Sequence, residues 1–306
     1  MYHFIVNPNA RSGLGKSTWN LIEKELIRRE VDYQAYETKY QKHATKIARK
    51  ITETDGIHQL VVLGGDGTIN EVINGIYDLD KVCLGYIPIG SSNDFARGFH
   101  LPKEPLEALG YILDTPSYAF MDVGYITYKE NKKRRFAVSA GIGFDAAVCH
   151  EVVVSRLKKF FNKLGLGKLA YTGVAFSQII KSRPTTMTIT VDGIRHRYEN
   201  VLFATVMNHP YEGGGFKFCP KADSTDGELD VIIAANISKL RFLTLLPLAF
   251  KGYHTFAKGI YLLKGKTVEI VSDCPLPVHT DGEPIFLQRE LFATLEPKKL
   301  KVAQNK

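Results

Sequence analysis

The run Leu60-Val61-Val62-Leu63 passes without a polar residue into Gly64-Gly65-Asp66-Gly67-Thr68, and Ile69-Asn70-Glu71-Val72 then opens like a helix. A strand, a glycine turn and a helix in immediate succession form the repeating unit of a parallel sheet with helices on its faces. The turn is also suited to phosphate. Three glycines around one carboxylate let the backbone approach a ligand closely, and the amides of the turn and of the helix N-terminus point at negative charge. Asp66 is the odd member, because a carboxylate beside phosphate repels it unless a divalent cation lies between them. We therefore assign Asp66 to a Mg²⁺ network around a nucleotide. A plain surface reversal would use the same glycines, so neighbouring segments decide.

The segment Phe4-Ile5-Val6-Asn7-Pro8-Asn9-Ala10-Arg11-Ser12-Gly13-Leu14-Gly15-Lys16 reads as a strand, a polar glycine loop and a helix opening near Ser17. Gly15-Lys16-Ser17 matches the end of a Walker loop, but Ala10 stands where its first glycine is needed and Asn7-Pro8 is foreign to it. Gly85-Tyr86-Ile87-Pro88-Ile89-Gly90-Ser91-Ser92-Asn93-Asp94-Phe95-Ala96-Arg97 supplies another strand, turn and helix start. Together the three segments resemble the catalytic domain of the soluble diacylglycerol kinase and sphingosine kinase family. NAD kinases and phosphofructokinases are similar only at the glycine turn. Further pieces follow in the family's order: Asn208, Gly213-Gly214-Gly215-Phe216, the stretch 220–230 and Thr280-Asp281-Gly282-Glu283-Pro284. Ser91 departs from the family's usual threonine and keeps the hydroxyl.

The resemblance implies an ATP- and Mg²⁺-dependent lipid kinase acting on diacylglycerol or a related lipid alcohol, with ATP in a cleft between two domains. It implies nucleotide contact for Asn7, Ser12, Thr38, Gly64, Gly65, Asp66, Gly67, Thr68, Glu71, Ser91 and Asn93. Asp66, Asp94 and Asp122 would hold Mg²⁺ through water, although Asn93-Asp94 before a helix is also a cap signature. Asp281 would be the general base and Glu283 an adjacent catalytic or orienting carboxylate, while Asp281-Gly282 is equally a hairpin turn. A structural Mg²⁺ is implied at Asp223, Asp226 and Glu228, in a loop too short for an EF-hand. Two rivals stay open: an NAD-kinase-like enzyme with a soluble acceptor, and a non-catalytic nucleotide- or lipid-binding protein.

Periodicity predicts an α/β domain over residues 1–122, with a parallel sheet binding nucleotide, and an antiparallel β-sandwich over 123–306. The last strand, about 290–302, is free to return to the first domain. Helical insertions are expected near 167–180 and 237–250. At 306 residues two domains are the default. Four scattered cysteines give neither a zinc nor a disulfide pattern, and the histidines are expected to be core or surface residues.

Charge is uneven. Residues 1–122 carry 13 Lys and Arg against 16 Asp and Glu, whereas residues 123–306 carry 27 against 16. Basic runs at Lys132–Arg135 and at 156–164, the latter interleaved with Leu and Phe at helical spacing, suit an anionic lipid surface, although a solvated helix on the protein's own core has the same look. No nucleic-acid-binding pattern accompanies the charge. The expectation is a cytoplasmic protein, peripheral at the inner face of the membrane and free to form a homodimer, without an export leader.

Overall fold

The computed structural model describes residues 1–114, 117–128, 132–154 and 179–304. The basic run at 156–164 and most of the first helical insertion lie outside the described residues.

The first sheet runs β2-β1-β3-β4-β15-β5, formed by β1 (Tyr2–Val6), β2 (Tyr33–Glu37), β3 (His58–Gly64), β4 (Val82–Pro88), β5 (Ser117–Met121) and β15 (Leu300–Gln304). The pairings from β2 through β15 are parallel and only β5 runs against its neighbour. α2 (His43–Thr52) and α3 (Asp66–Gly75) cover one face. Ala44, Ile47, Ala48 and Ile51 recur there at helical spacing and pack with Ile69, Val72 and Ile73 on Ile5, Leu60, Val62 and Leu84. α1 (Ala10–Arg28) and α5 (Pro105–Leu113) cover the other face through Trp19, Ile22, Leu26, Leu109 and Ile112. The turns that follow β1, β3 and β4 therefore gather at one sheet edge, where open parallel sheets bind ligands.

The second sheet runs β12-β11-β10-β8-β13-β14-β6-β7. Its strands are β6 (Gly124–Tyr128), β7 (Lys132–Phe136), β8 (Ser139–Gly143), β9 (Thr185–Val191), β10 (Ile194–Met207), β11 (Leu229–Ala235), β12 (Ile260–Gly265), β13 (Thr267–Thr280) and β14 (Glu283–Leu295). β10 and β13 are long and bent: one half of each pairs with β9 and the other half with β8, so the sheet folds over its own core of Phe136, Ile142, Ile189, Val206 and Ile270. α4 (Asp94–Gly98) follows β4, α6 (Phe144–Val154) follows β8, and α7 (Lys239–Ala249) follows β11.

The expected last strand divides in two. Residues up to Leu295 belong to β14, and β15 alone crosses back to lie between β4 and β5. The basic run Lys132–Arg135 lies in β7, and two of its members, Lys133 and Arg135, serve the domain junction. Arg135 donates from Nη1 to the carbonyls of Ile73 and Ile76 at the end of α3, pairs through Nε with Glu296 at 2.6 Å, and exchanges backbone bonds with the Asn74 amide; Lys133 pairs with the same Glu296 at 2.7 Å. A cation on the last carbonyls of a helix is where the dipole favours one.

Candidate active site

The nucleotide-side loops touch each other backbone to backbone. Ile89 N donates to Gly64 O at 2.8 Å, and a Cβ on Gly90 would lie 2.8 Å from Gly65 Cα and 2.6 Å from Asn93 Oδ1. A side chain at either glycine would push the two loops apart. Asn7 Nδ2 donates to Thr68 Oγ1 at 3.0 Å, joining the first loop to the second. After Asn7, Arg11, Ser12 and Gly13 take left-handed backbone angles, with φ of 47, 59 and 97°, before the regular helix begins. The conformation costs roughly 1 kcal/mol or more at each of the two non-glycine residues, strain of the kind that collects in ligand loops.

The acidic residues meet across the domain boundary. Asp66 opens α3 and accepts from Phe95 N at 3.4 Å. Burial, and then the Asp94 carboxylate, push its pKa up to about 7. Asp94 is buried and accepts from Gly214 N of the second domain at 2.7 Å, while its Oδ1 has no hydrogen bond and faces Arg97 Nε at 3.7 Å. Burial raises its pKa as well. Two crowded buried carboxylates, with only the Arg97 guanidinium facing the remaining Asp94 oxygen, would be relieved of both their repulsion and their burial by a divalent cation.

From the second domain comes the β13–β14 tip. Thr280 pairs with Glu283, and Asp281 and Gly282 between them have φ of 49 and 77°, as a two-residue reversal with positive φ at both centres requires. The tip thus is a hairpin turn and also sits at the site. Asp281 Oδ1 accepts from Val138 N at 2.8 Å and Ser139 N at 3.0 Å, and Oδ2 from Ala137 N at 2.9 Å and Asn70 Nδ2 at 2.8 Å. All four lone-pair positions of the carboxylate are used. Glu283 reaches the phosphate loop: a Cβ built on Gly67 would stand 2.9 Å from its Oε1.

Several expected contacts lie elsewhere. Glu71 accepts from Lys42 N at 2.7 Å and Ala44 N at 3.2 Å, so both its oxygens cap α2 rather than facing the nucleotide edge. Asp122 is paired with Lys299 at 3.0 Å and accepts from Gly227 N at 2.9 Å, fixing the junction near β15. In the 223–228 loop the Lys264 ammonium lies 2.6 Å from Asp226 and 3.6 Å from Glu228, Asp223 accepts from Thr225, and Lys299 takes the Thr225 carbonyl. Lysines supply the positive charge there, and the donor set as arranged does not fit the Mg²⁺ implied at Asp223, Asp226 and Glu228. Thr38 is buried at the end of β2, bonded through its amide to Val6 O, while Ser12 and Ser91 are exposed on their loops.

A buried cluster lay outside the sequence expectations. His279 Nε2 is 3.1 Å from Asp145 and 3.1 Å from Glu212, and Gly282 N donates to Nδ1 at 3.1 Å. Both carboxylates draw a proton onto Nε2, whereas the Gly282 amide keeps one off Nδ1. A metal on Nε2 would move the ring proton to Nδ1, against that amide. The cluster as arranged therefore suits a shared proton beneath the hairpin tip better than a metal. Burial pushes Glu212 up to about 7. Its members come from α6, a loop and β13, so no spacing in the chain could have announced them.

Comparison with known proteins shows which family has this fold. Residues 1–124 match the diacylglycerol kinase catalytic domain, and residues 137–304 match the YegS C-terminal NAD kinase beta sandwich-like domain. A Bacillus subtilis (strain 168) protein provisionally named lipid kinase YtlR is 33% identical over 286 residues, covering 92% of this chain and 93% of its own. The chain belongs to the diacylglycerol kinase family. This lipid kinase is also 30% identical to a diacylglycerol kinase of Mycobacterium tuberculosis (strain H37Rv), over 74% of the chain and 71% of the relative. A Bacillus anthracis crystal structure, provisionally named a diacylglycerol kinase, superposes with a TM-score of 0.79 at 26% identity, covering 99% of this chain and 95% of its own. An Archaeoglobus fulgidus NAD kinase in complex with ATP shares the fold, with a TM-score of 0.53 at 13% identity.

Proposed function

We propose that this lipid kinase moves the γ-phosphoryl group of ATP to the hydroxyl of diacylglycerol or a related lipid alcohol held at a membrane surface. The observation that carries the reading is the meeting of Asp66, Asp94 and the Asp281-Gly282-Glu283 tip at the edge where the glycine loops gather. The amides of the 64–68 and 89–93 loops would cradle the phosphates. Mg²⁺ at Asp66 and Asp94 would spread the charge of the triphosphate.

The carboxylates of the tip divide the remaining work. The sequence expectation gave the proton to Asp281, but a carboxylate that already accepts four hydrogen bonds has no lone pair to offer an alcohol. Glu283, next to Gly67, is the better placed proton acceptor, and Asp281 fixes the tip against α3. Radiolabelled ATP and diacylglycerol in mixed micelles test the assignment. Label should enter a chloroform-soluble product with wild type and fall about a hundredfold or more with Glu283→Gln. Labelled lipid at the wild-type rate from Glu283→Gln would overturn the role of Glu283, and label confined to water-soluble product would overturn the lipid acceptor.

A further inference from the structure

Of the two basic runs that suggested a membrane surface, the first has Lys133 and Arg135 bound into the domain junction and the other lies outside the described residues. A third stretch has no such employment. From Val231 to Val268 there is no Asp or Glu, while Lys239, Arg241, Lys251, Lys258, Lys264 and Lys266 fall within it. Lys264 is held by Asp226, and Lys239 donates to Ile180 O. Arg241, Lys251 and Lys258 are exposed and make no ion pair among the described residues.

The same stretch is apolar on both sides. Inward, Phe242, Leu245, Leu246 and Ala249 of α7 pack on Phe203, Phe218, Ile232 and Ile260, so the core is already served. Outward, Leu240 is 74% exposed, Phe250 52%, Tyr253 60% and Phe256 90%. A phenylalanine left almost wholly in water beside a tyrosine and unpaired cations matches the chemistry of a bilayer interface, where aromatic rings settle at head-group depth and basic side chains meet anionic lipid. None of the described helices is long and apolar enough to cross a membrane.

This surface is continuous with the active site. The Phe250 ring stacks on Phe216 at 4.1 Å between centroids, Phe216 and Glu212 exchange both backbone hydrogen bonds, and Gly214 between them donates to Asp94. We propose that α7 and the turn after it, with Leu240, Phe250, Tyr253 and Phe256 among Arg241, Lys251 and Lys258, rest on an anionic lipid bilayer and set the cleft beside it. The proposal rests on the lipid-acceptor reading and says where the acceptor's membrane meets the enzyme. Charge decides for a bilayer over a second copy of the chain, because two copies of this face would oppose like charges.

The test is co-sedimentation with phosphatidylcholine vesicles that contain or lack phosphatidylglycerol, using wild type, Leu240→Ser/Phe256→Ser and Arg241→Glu/Lys251→Glu/Lys258→Glu. Wild type should pellet with the anionic vesicles only and be released by salt, and each variant should bind about tenfold or more weakly. Melting temperatures and turnover of a water-dispersed short-chain diacylglycerol should not change. Wild-type vesicle binding by both variants, or no binding by wild type, would overturn the proposal. A wild-type dimer in gel filtration that the serine variant dissolves would assign the face to a second copy instead. Failure of wild type to phosphorylate the short-chain lipid would count against the acceptor reading, independently of the vesicle result.

Discussion

Asp281→Asn separates anchoring from chemistry. The substitution keeps the size of the side chain but replaces one oxygen with an amide that donates. Each Asp281 oxygen receives two donors, so whichever way the new amide turns, two N–H groups lose their acceptor and the other two bond to a neutral oxygen instead of a charged one. Leaving a buried donor unmet costs about 1–3 kcal/mol, and charged acceptors add to the loss. The expected destabilisation is about 3–5 kcal/mol. At about 2–4 °C per kcal/mol for domains of this size, the melting temperature should drop by roughly 6–20 °C. Differential scanning calorimetry reads this directly, and urea unfolding of Asn70→Ala provides the graded control, about 1 kcal/mol for one lost donor. A variant that melts within about 1 °C of wild type yet has lost activity would refute the anchoring role and return the proton to Asp281.

Other consequences follow from the same contacts. Glu71→Ala should cost about 1–2 kcal/mol by uncapping α2 while leaving ATP affinity unchanged, checked by thermal melts and ATP titration; a large loss of affinity would restore Glu71 to the nucleotide site. Asp66 has a folded pKa raised from 3.8 to about 7, so the folded state holds the extra proton and metal-free stability should decline as pH rises through that window. Melts between about pH 5 and pH 8 in EDTA should show the decline and Mg²⁺ should flatten it; a flat profile in EDTA would contradict the burial of Asp66. Asp226→Ala should cost no more than about 1 kcal/mol, equally with and without Mg²⁺, because Lys264 is its partner. A Mg²⁺-dependent difference in its melting would reinstate a cation in that loop.

The nucleotide half of the site was legible because its signals are local. β1, β3 and β4 each run straight into their turns, and parallel pairing alone brings Asn7, Asp66 and Asp94 to one edge. The Asp281-Gly282 pair was legible as a turn, and a reversal with two positive φ angles is what carries Glu283 to Gly67 at the candidate site. What sequence could not show is which partner a charged side chain finds across the fold. Glu71 looked like a nucleotide contact, but α2 packs beside α3 and its amides claim both oxygens. Asp226 looked like a cation ligand because Lys264 is 38 residues away on a neighbouring strand. His279 looked like packing because Asp145 and Glu212 approach it only after β8, β10 and β13 have paired. The return of β15 alone, without the preceding strand, depended on sheet pairing that alternation of apolar residues does not encode.

The proposed phosphoryl transfer needs Asp66 and Asp94 to hold a cation against the triphosphate. Isothermal titration of ATP into wild type and Asp94→Asn, each with and without Mg²⁺, reads that cation's contribution. Mg²⁺ should tighten ATP on wild type by about tenfold or more, equivalent to about 1.4 kcal/mol, and should do little for Asp94→Asn. Equal tightening in both proteins, or ATP bound as well by wild type without Mg²⁺, would rule out a cation held by Asp66 and Asp94.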